Sequence, residues 1–308
     1  MAIDVSIMIE GQDGLSWPRW QRLVRAVEGL GFDGLYRSDH FTNPEGPVKD
    51  DIETWISLGW LAANTTRISF GTLVSPLSFR NPSILAWQAS SIDALACGRL
   101  RVGLGAGWQE REHHAFGFEL LHTKERFDRF EEGIQIVKSL TRSSEPSTAE
   151  GKYFQIRDAK LQPRSPRTDG PAIVIGGNGP KRTLPLVAKY ADEWNAVYPK
   201  LDAYGALTAR LNDLLVAEGR TPADVKRTVM SRLLIGRDDE KLAKKIDAEG
   251  LQSLRDRDAP VGTPDQIVEK LGQYQEAGIQ GVMLQCLDMD DISSLELIAA
   301  EVLPQVRG

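Results

Sequence analysis

At 308 residues and 41% apolar, the chain is long enough to bury a large core, and its size suits one α/β barrel or two ordinary domains. Thirty-seven basic and 43 acidic residues give a net charge of −6 with both signs interspersed, which argues against nucleic acid or an anionic membrane surface as partner and leaves a small molecule as the default ligand. Residues 1–10 show no basic stretch leading into an apolar one, and no run of about 18 apolar residues occurs, so a cytoplasmic protein is expected, with Cys97 and Cys286 read as buried thiols in a reducing compartment.

In chain order, the first strand is expected near 5–9, followed by a helix that Ser16-Trp17-Pro18 opens and Gly29-Leu30-Gly31 closes. Further strands are expected near 34–37, 68–74 and 100–104, with Asn81-Pro82-Ser83 opening a helix that ends at Cys97-Gly98. A long helix over 123–144 comes next, then a polar stretch, 141–151, read as a mobile surface loop, and a hairpin or extended excursion built from 153–156 and 160–163. Strands near 172–175, 193–197, 229–235 and 282–285 complete the series, with a charged insertion over 236–260 expected as a solvated helix or lid, and a helix from Thr263-Pro264-Asp265 to Gly278. Repeated strand–helix units of this number fit a single (β/α)8 TIM barrel over residues 1–308, with insertions, the largest between strands four and five.

Residues just past the carboxyl ends of barrel strands converge on one face, so they are the first candidates for chemistry. Asp39 and His40 follow the second strand: an imidazole there can exchange a proton near neutral pH, and the adjacent acid can orient it or merely cap a turn. Gly105, Ala106 and Gly107 after the fourth strand form a wall without bulky side chains, where a planar ring meets no Cβ; the acidic residue that a dinucleotide fingerprint requires is missing. Glu110, Glu112, His113 and His114 then form a polar cluster that either faces the pocket or opens a solvated helix, and adjacent histidines on a helix diverge too far to suggest a metal. Gly176, Gly177, Asn178 and Gly179 before Lys181 and Arg182 either offer backbone N–H groups to an anion such as phosphate or form a flexible turn that starts a helix. Trp17, Trp108 and Trp194 are candidates to stack on an aromatic substrate, or to serve as simple packing.

The segments 31–35, 38–41, 71–74, 79–82, 103–108 and 175–179, in that order, resemble the luciferase-like monooxygenase superfamily, and most of all its branch of oxidoreductases that use coenzyme F420, a deazaflavin. The resemblance implies a (β/α)8 barrel, a cofactor phosphate on Gly176 to Gly179, and a ring lying across the barrel mouth against a non-proline cis peptide at Leu73-Val74. It implies that His40, with Asp39 beside it, faces the reacting edge of that ring while a hydride passes to or from a small organic substrate. An FMN-dependent monooxygenase fed by a partner reductase is the alternative, a non-catalytic ligand-binding barrel a third, and a homodimer is the family's common state. Some sugar-oxidising relatives carry a Glu directly after the strand-four glycines; Trp108 stands there in this chain, which speaks for a more apolar substrate wall than a sugar phosphate needs.

Overall fold

The computed structural model describes residues 2–246, 254 and 258–307. Eight parallel strands form its centre: β1 (Asp4–Ile9), β2 (Gly34–Arg37), β3 (Ser69–Thr72), β4 (Leu100–Gly105), β5 (Ala172–Gly176), β6 (Glu193–Val197), β7 (Lys226–Arg232) and β8 (Gly281–Gln285). Each pairs with its neighbour, β8 pairs with β1, and contacts of Phe70 with Leu100 and Gly71 with Arg101 join β3 to β4, so the sheet closes. The seam depends on Gly71, because a Cβ there would lie 1.9 Å from the Arg101 carbonyl oxygen.

Helices cover the outside. In α1 (Trp17–Gly29), Trp20, Leu23, Val24 and Val27 recur at helical spacing and are buried, with Ser16 extended before the start and Pro18 in the first turn. Asn81 caps α3 (Pro82–Leu95), accepting from the Ser83 and Ile84 N–H groups at 2.9 and 3.3 Å. A reciprocal cap between Thr263 and Gln266 starts the helix Pro264–Glu276. Inside the barrel, Met8, Tyr36, Leu73, Val174, Met230 and Met283 pack together and fill the space beneath the strand ends.

Three expectations need correction. The hairpin between β4 and β5 pairs Ser147–Glu150 with Gln155–Ala159, so its first arm lies in the stretch read as a mobile loop, and 160–163 is not a strand. One face of that hairpin, with Ala149, Phe154, Ile156 and Ala159, packs on Ala86, Ile136 and Leu140, and this burial holds a strand whose composition is otherwise polar. The seventh strand starts earlier than expected and stops at Arg232, and Leu234–Ile235 pairs instead with Val261–Gly262. Cys97 is exposed and Cys286 half-buried, so the expectation of two buried thiols fails. In the charged insertion, Asp239–Ile246 is a helix with only Leu242 buried; residues 247–253 and 255–257 lie outside the described residues.

Candidate active site at the barrel mouth

A cavity of about 820 Å³ lies at the carboxyl ends of the strands, and every strand end contributes to its wall, from Glu10 after β1 and His40 after β2 round to Arg232 on β7 and Gln285 on β8. The His40 Nδ1 lies 3.0 and 3.1 Å from the two carboxylate oxygens of Glu112, which belongs to the first turn of α4 (Glu110–Phe116). Glu112 is fully buried and also accepts the Phe41 N–H at 3.0 Å. A carboxylate on Nδ1 turns Nε2 toward the cavity. The Trp108 indole meets the imidazole edge-on at 5.8 Å, and Phe41 stacks on Phe116 at 4.3 Å, so the loop carrying His40 is clamped on both sides. Burial pulls the His40 pKa down, but the hydrogen bond and charge of Glu112, assisted by Glu10 and Asp39, outweigh it and leave the imidazole more basic than usual.

Asp39 is placed differently from expectation. It is buried, accepts from the Arg80 Nε at 3.0 Å and from the Ser75 hydroxyl, and does not line the cavity. Arg80 also reaches Glu53 at 2.7 Å, so this carboxylate belongs to an ion-pair network behind the cavity wall.

The Leu73–Val74 peptide bond is cis, and both residues line the cavity. A Cβ at Gly105 would come within 2.5 Å of Val74 Cγ2, and one at Gly176 within 3.2 Å of Val74 Cγ1. These glycines therefore make room for the chain's own Val74 side chain, a role that the sequence pattern does not reveal. Ala106 and Gly107 line the wall as well; Gly107 has φ 81 and its Cβ would lie 2.0 Å from Ser78 Oγ. On the β5 side, Gly176 and Gly177 line the cavity while Asn178 and Gly179 do not. Asn178 ties its side chain to both Val197 backbone groups, at 2.7 and 2.9 Å, and the Gly177 N–H is taken up by the Asn195 carbonyl at 2.9 Å.

Of the three tryptophans, only Trp108 lines the cavity, with 59% of its surface exposed. Trp17 begins α1 and stands outside it. Trp194 is fully buried on the outer side of β6, stacked on Tyr204 at 5.5 Å and donating its indole N–H to the Gly177 carbonyl at 2.9 Å, so it is core and not a substrate wall. Alternation along the strand gives the reason: Asn195 and Val197 line the cavity, so Trp194 between β6 and the helices points outward.

The open question about the polar cluster after β4 divides cleanly. Glu112 holds His40; His113 is buried and structural, at 2.7 Å from the Gln109 carbonyl and 2.8 Å from Ser78 Oγ; Glu110 and His114 are exposed. Among the described residues, no group of three or more His, Cys, Asp or Glu side chains is arranged to hold a metal. The sequence reading missed a polar relay on the opposite wall, in which Tyr198 donates to Gln285, Gln285 and Gln12 donate to Glu10, and Ser38 donates to Gln12. It also missed Asn195, whose side-chain nitrogen is held by Thr228 at 3.0 Å while its buried oxygen has no partner among the described residues. These residues come from strands far apart in sequence, and no local motif marks them.

Among known proteins, an F420-dependent glucose-6-phosphate dehydrogenase of Kineococcus radiotolerans is 26% identical over 91% of this chain and 90% of its own length. An F420-dependent secondary alcohol dehydrogenase, solved with an F420–acetone adduct, superposes with a TM-score of 0.85 at 18% identity over the full length of both chains. The oxygenating constituent of 3,6-diketocamphane monooxygenase from Pseudomonas putida, solved with FMN, superposes with a TM-score of 0.78 at 19% identity over 99% of each chain. At those identities the two structures establish the shared barrel. The family model of luciferase-like monooxygenases matches residues 4–256, a span that runs from β1 through β7 and takes in seven of the eight strand ends around the cavity: this chain belongs to that family.

Proposed function

We propose that the chain is an oxidoreductase that passes a hydride between coenzyme F420 and a small organic substrate, with His40 handling the accompanying proton. The observation that carries this reading is the His40–Glu112 pair: an imidazole oriented through Nδ1, raised in basicity, and placed at the mouth of a cavity large enough for a tricyclic ring. The residues present suit such a ring. Val74, Gly107, Gly176 and Gly177 form a low wall. Bound F420 supplies the two-electron, hydride-carrying carbon.

His40 Nε2 takes the proton from a substrate hydroxyl in the oxidising direction and returns it in the other, while Glu112 stabilises the imidazolium. Trp108, Phe127 and Leu287 give the substrate an apolar surround, which suits a small alcohol or ketone better than a sugar phosphate and helps exclude water. The curated relatives support the choice of cofactor by their names, and a cytoplasmic homodimer is part of the same reading. Titration with F420 and with FMN, followed by tryptophan quenching, tests it: micromolar affinity for F420 is expected. Micromolar affinity for FMN with none for F420 overturns the proposal in favour of a monooxygenase served by a partner reductase.

A further inference from the structure

Glu10, the first residue past β1, stands half-buried in the wall of the main cavity. Its carboxylate accepts from Gln12 Nε2 at 2.9 Å and from Gln285 Nε2 at 2.5 Å, and it makes no ion pair with any described residue. Neither amide is free to turn. The Ser38 hydroxyl, which accepts the Gly11 N–H at 3.0 Å, gives its hydrogen to Gln12 Oε1 at 2.6 Å, and the Tyr198 hydroxyl gives its own to Gln285 Oε1 at 2.5 Å. Each amide oxygen is thus taken by a hydroxyl, so each NH2 group faces Glu10.

Two neutral donors steady this carboxylate without cancelling its charge. Asp13, the other acidic residue lining the cavity among the described residues, is offset by Lys49 at 3.2 Å and Asn43 at 2.8 Å. Of the two arginines in the same wall, Arg232 is already engaged, and Arg126 belongs to the part shared with a neighbouring cavity beside Trp108. Glu10 therefore holds an uncompensated negative charge that a ligand can meet, and removing that charge from water without a partner is unfavourable. The charge reaches the reacting end of the cavity, since Glu10 contributes to the raised basicity of His40.

We propose that Glu10 selects the substrate: it takes a hydrogen-bond donor carried near the reacting carbon, an ammonium in preference to a hydroxyl, and turns away carboxylates and phosphate esters. The inference rests on the reading of this cavity as the place of hydride transfer, and it narrows the substrate to an amino alcohol or a diol, or the corresponding ketone. Gln12 and Gln285 hold the acceptor in place, so little side-chain freedom remains to be lost when the donor arrives.

The test uses solutes that share a three-carbon secondary alcohol and differ in one group: 1-amino-2-propanol, 1,2-propanediol and lactate. Their affinities for wild type, Glu10→Gln and Glu10→Ala are read by tryptophan fluorescence, with and without F420, at about pH 7, where the amine is protonated and the acid ionised. Wild type is expected to bind the amine roughly tenfold or more tightly than lactate, with the diol between, and in both variants the amine and lactate should come within about twofold of each other. Equal binding of all three, a preference for lactate, or an order that survives in either variant overturns the proposal, as does the absence of quenching by any of them. If F420 fails to bind while the order holds in the unloaded protein and is lost in the variants, the cofactor reading fails and the role of Glu10 stands.

Discussion

Replacing Glu112 with Gln keeps the side chain's shape and its oxygen for the Phe41 N–H but removes the charge facing His40. A hydrogen bond to a charged group contributes about 1.5–3 kcal/mol, and the two oxygens approach one nitrogen at 3.0 and 3.1 Å, so the pairing with protonated His40 is set at about 2 kcal/mol. Burial alone depresses the imidazole's pKa, and Glu112 reverses that to a net rise above the ordinary value of 6.5. Stability from a raised pKa is fully present below the unfolded value and fades as pH climbs through the folded one. The wild type is therefore expected to exceed Glu112→Gln by about 2 kcal/mol in mild acid. In alkali, a buried carboxylate faces a neutral ring and the isosteric amide costs little, so the gap closes or changes sign. Urea unfolding of both at about pH 5.5 and about pH 9 measures the two gaps. A gap of equal size at both, or a larger one in alkali, would refute the electrostatic account of His40.

His40→Ala is expected to lower turnover by about 10²-fold or more while cofactor affinity stays within about twofold; unchanged turnover takes His40 out of the chemistry. Asp39→Asn leaves Arg80 without its buried partner and should cost about 3–5 kcal/mol in denaturant titration, with near-normal turnover in the folded fraction, whereas a large kinetic loss without destabilisation would return Asp39 to the site. Trp194→Ala empties a fully buried position and should cost about 3–5 kcal/mol without changing the KM of the substrate, and a KM effect with full stability contradicts its place in the core. Gly105→Ala brings a Cβ to 2.5 Å from Val74 Cγ2 and should cost about 1–3 kcal/mol, measurable by thermal unfolding; a neutral result means that the Val74 loop yields.

Most of the architecture is written locally. Buried strands such as 172–175 appear as continuous apolar runs, and Pro18, Asn81 and the Thr263 capping box mark helix starts one turn at a time, so eight strand–helix repeats could be counted without tertiary contacts. His40 and the glycines after β4 and β5 were legible because a barrel puts strand ends on one face whatever the side chains are. The hairpin arm at 147–150 was not, since its few apolar groups become a strand only when Ile136 and Leu140 cover them.

What the chain alone determined, then, is the barrel and the ring of positions from which a site can be built, because helix caps and strand periodicity are short-range effects. Which of those positions face the cavity was decided only by folding. Asp39 and His40 are neighbours in sequence, yet one carboxylate is drawn back by Arg80 while the other residue's imidazole is held forward by Glu112, seventy-two residues away. Ion pairs and hydrogen bonds of that span depend on which strand ends meet around a closed sheet, and no local pattern encodes them.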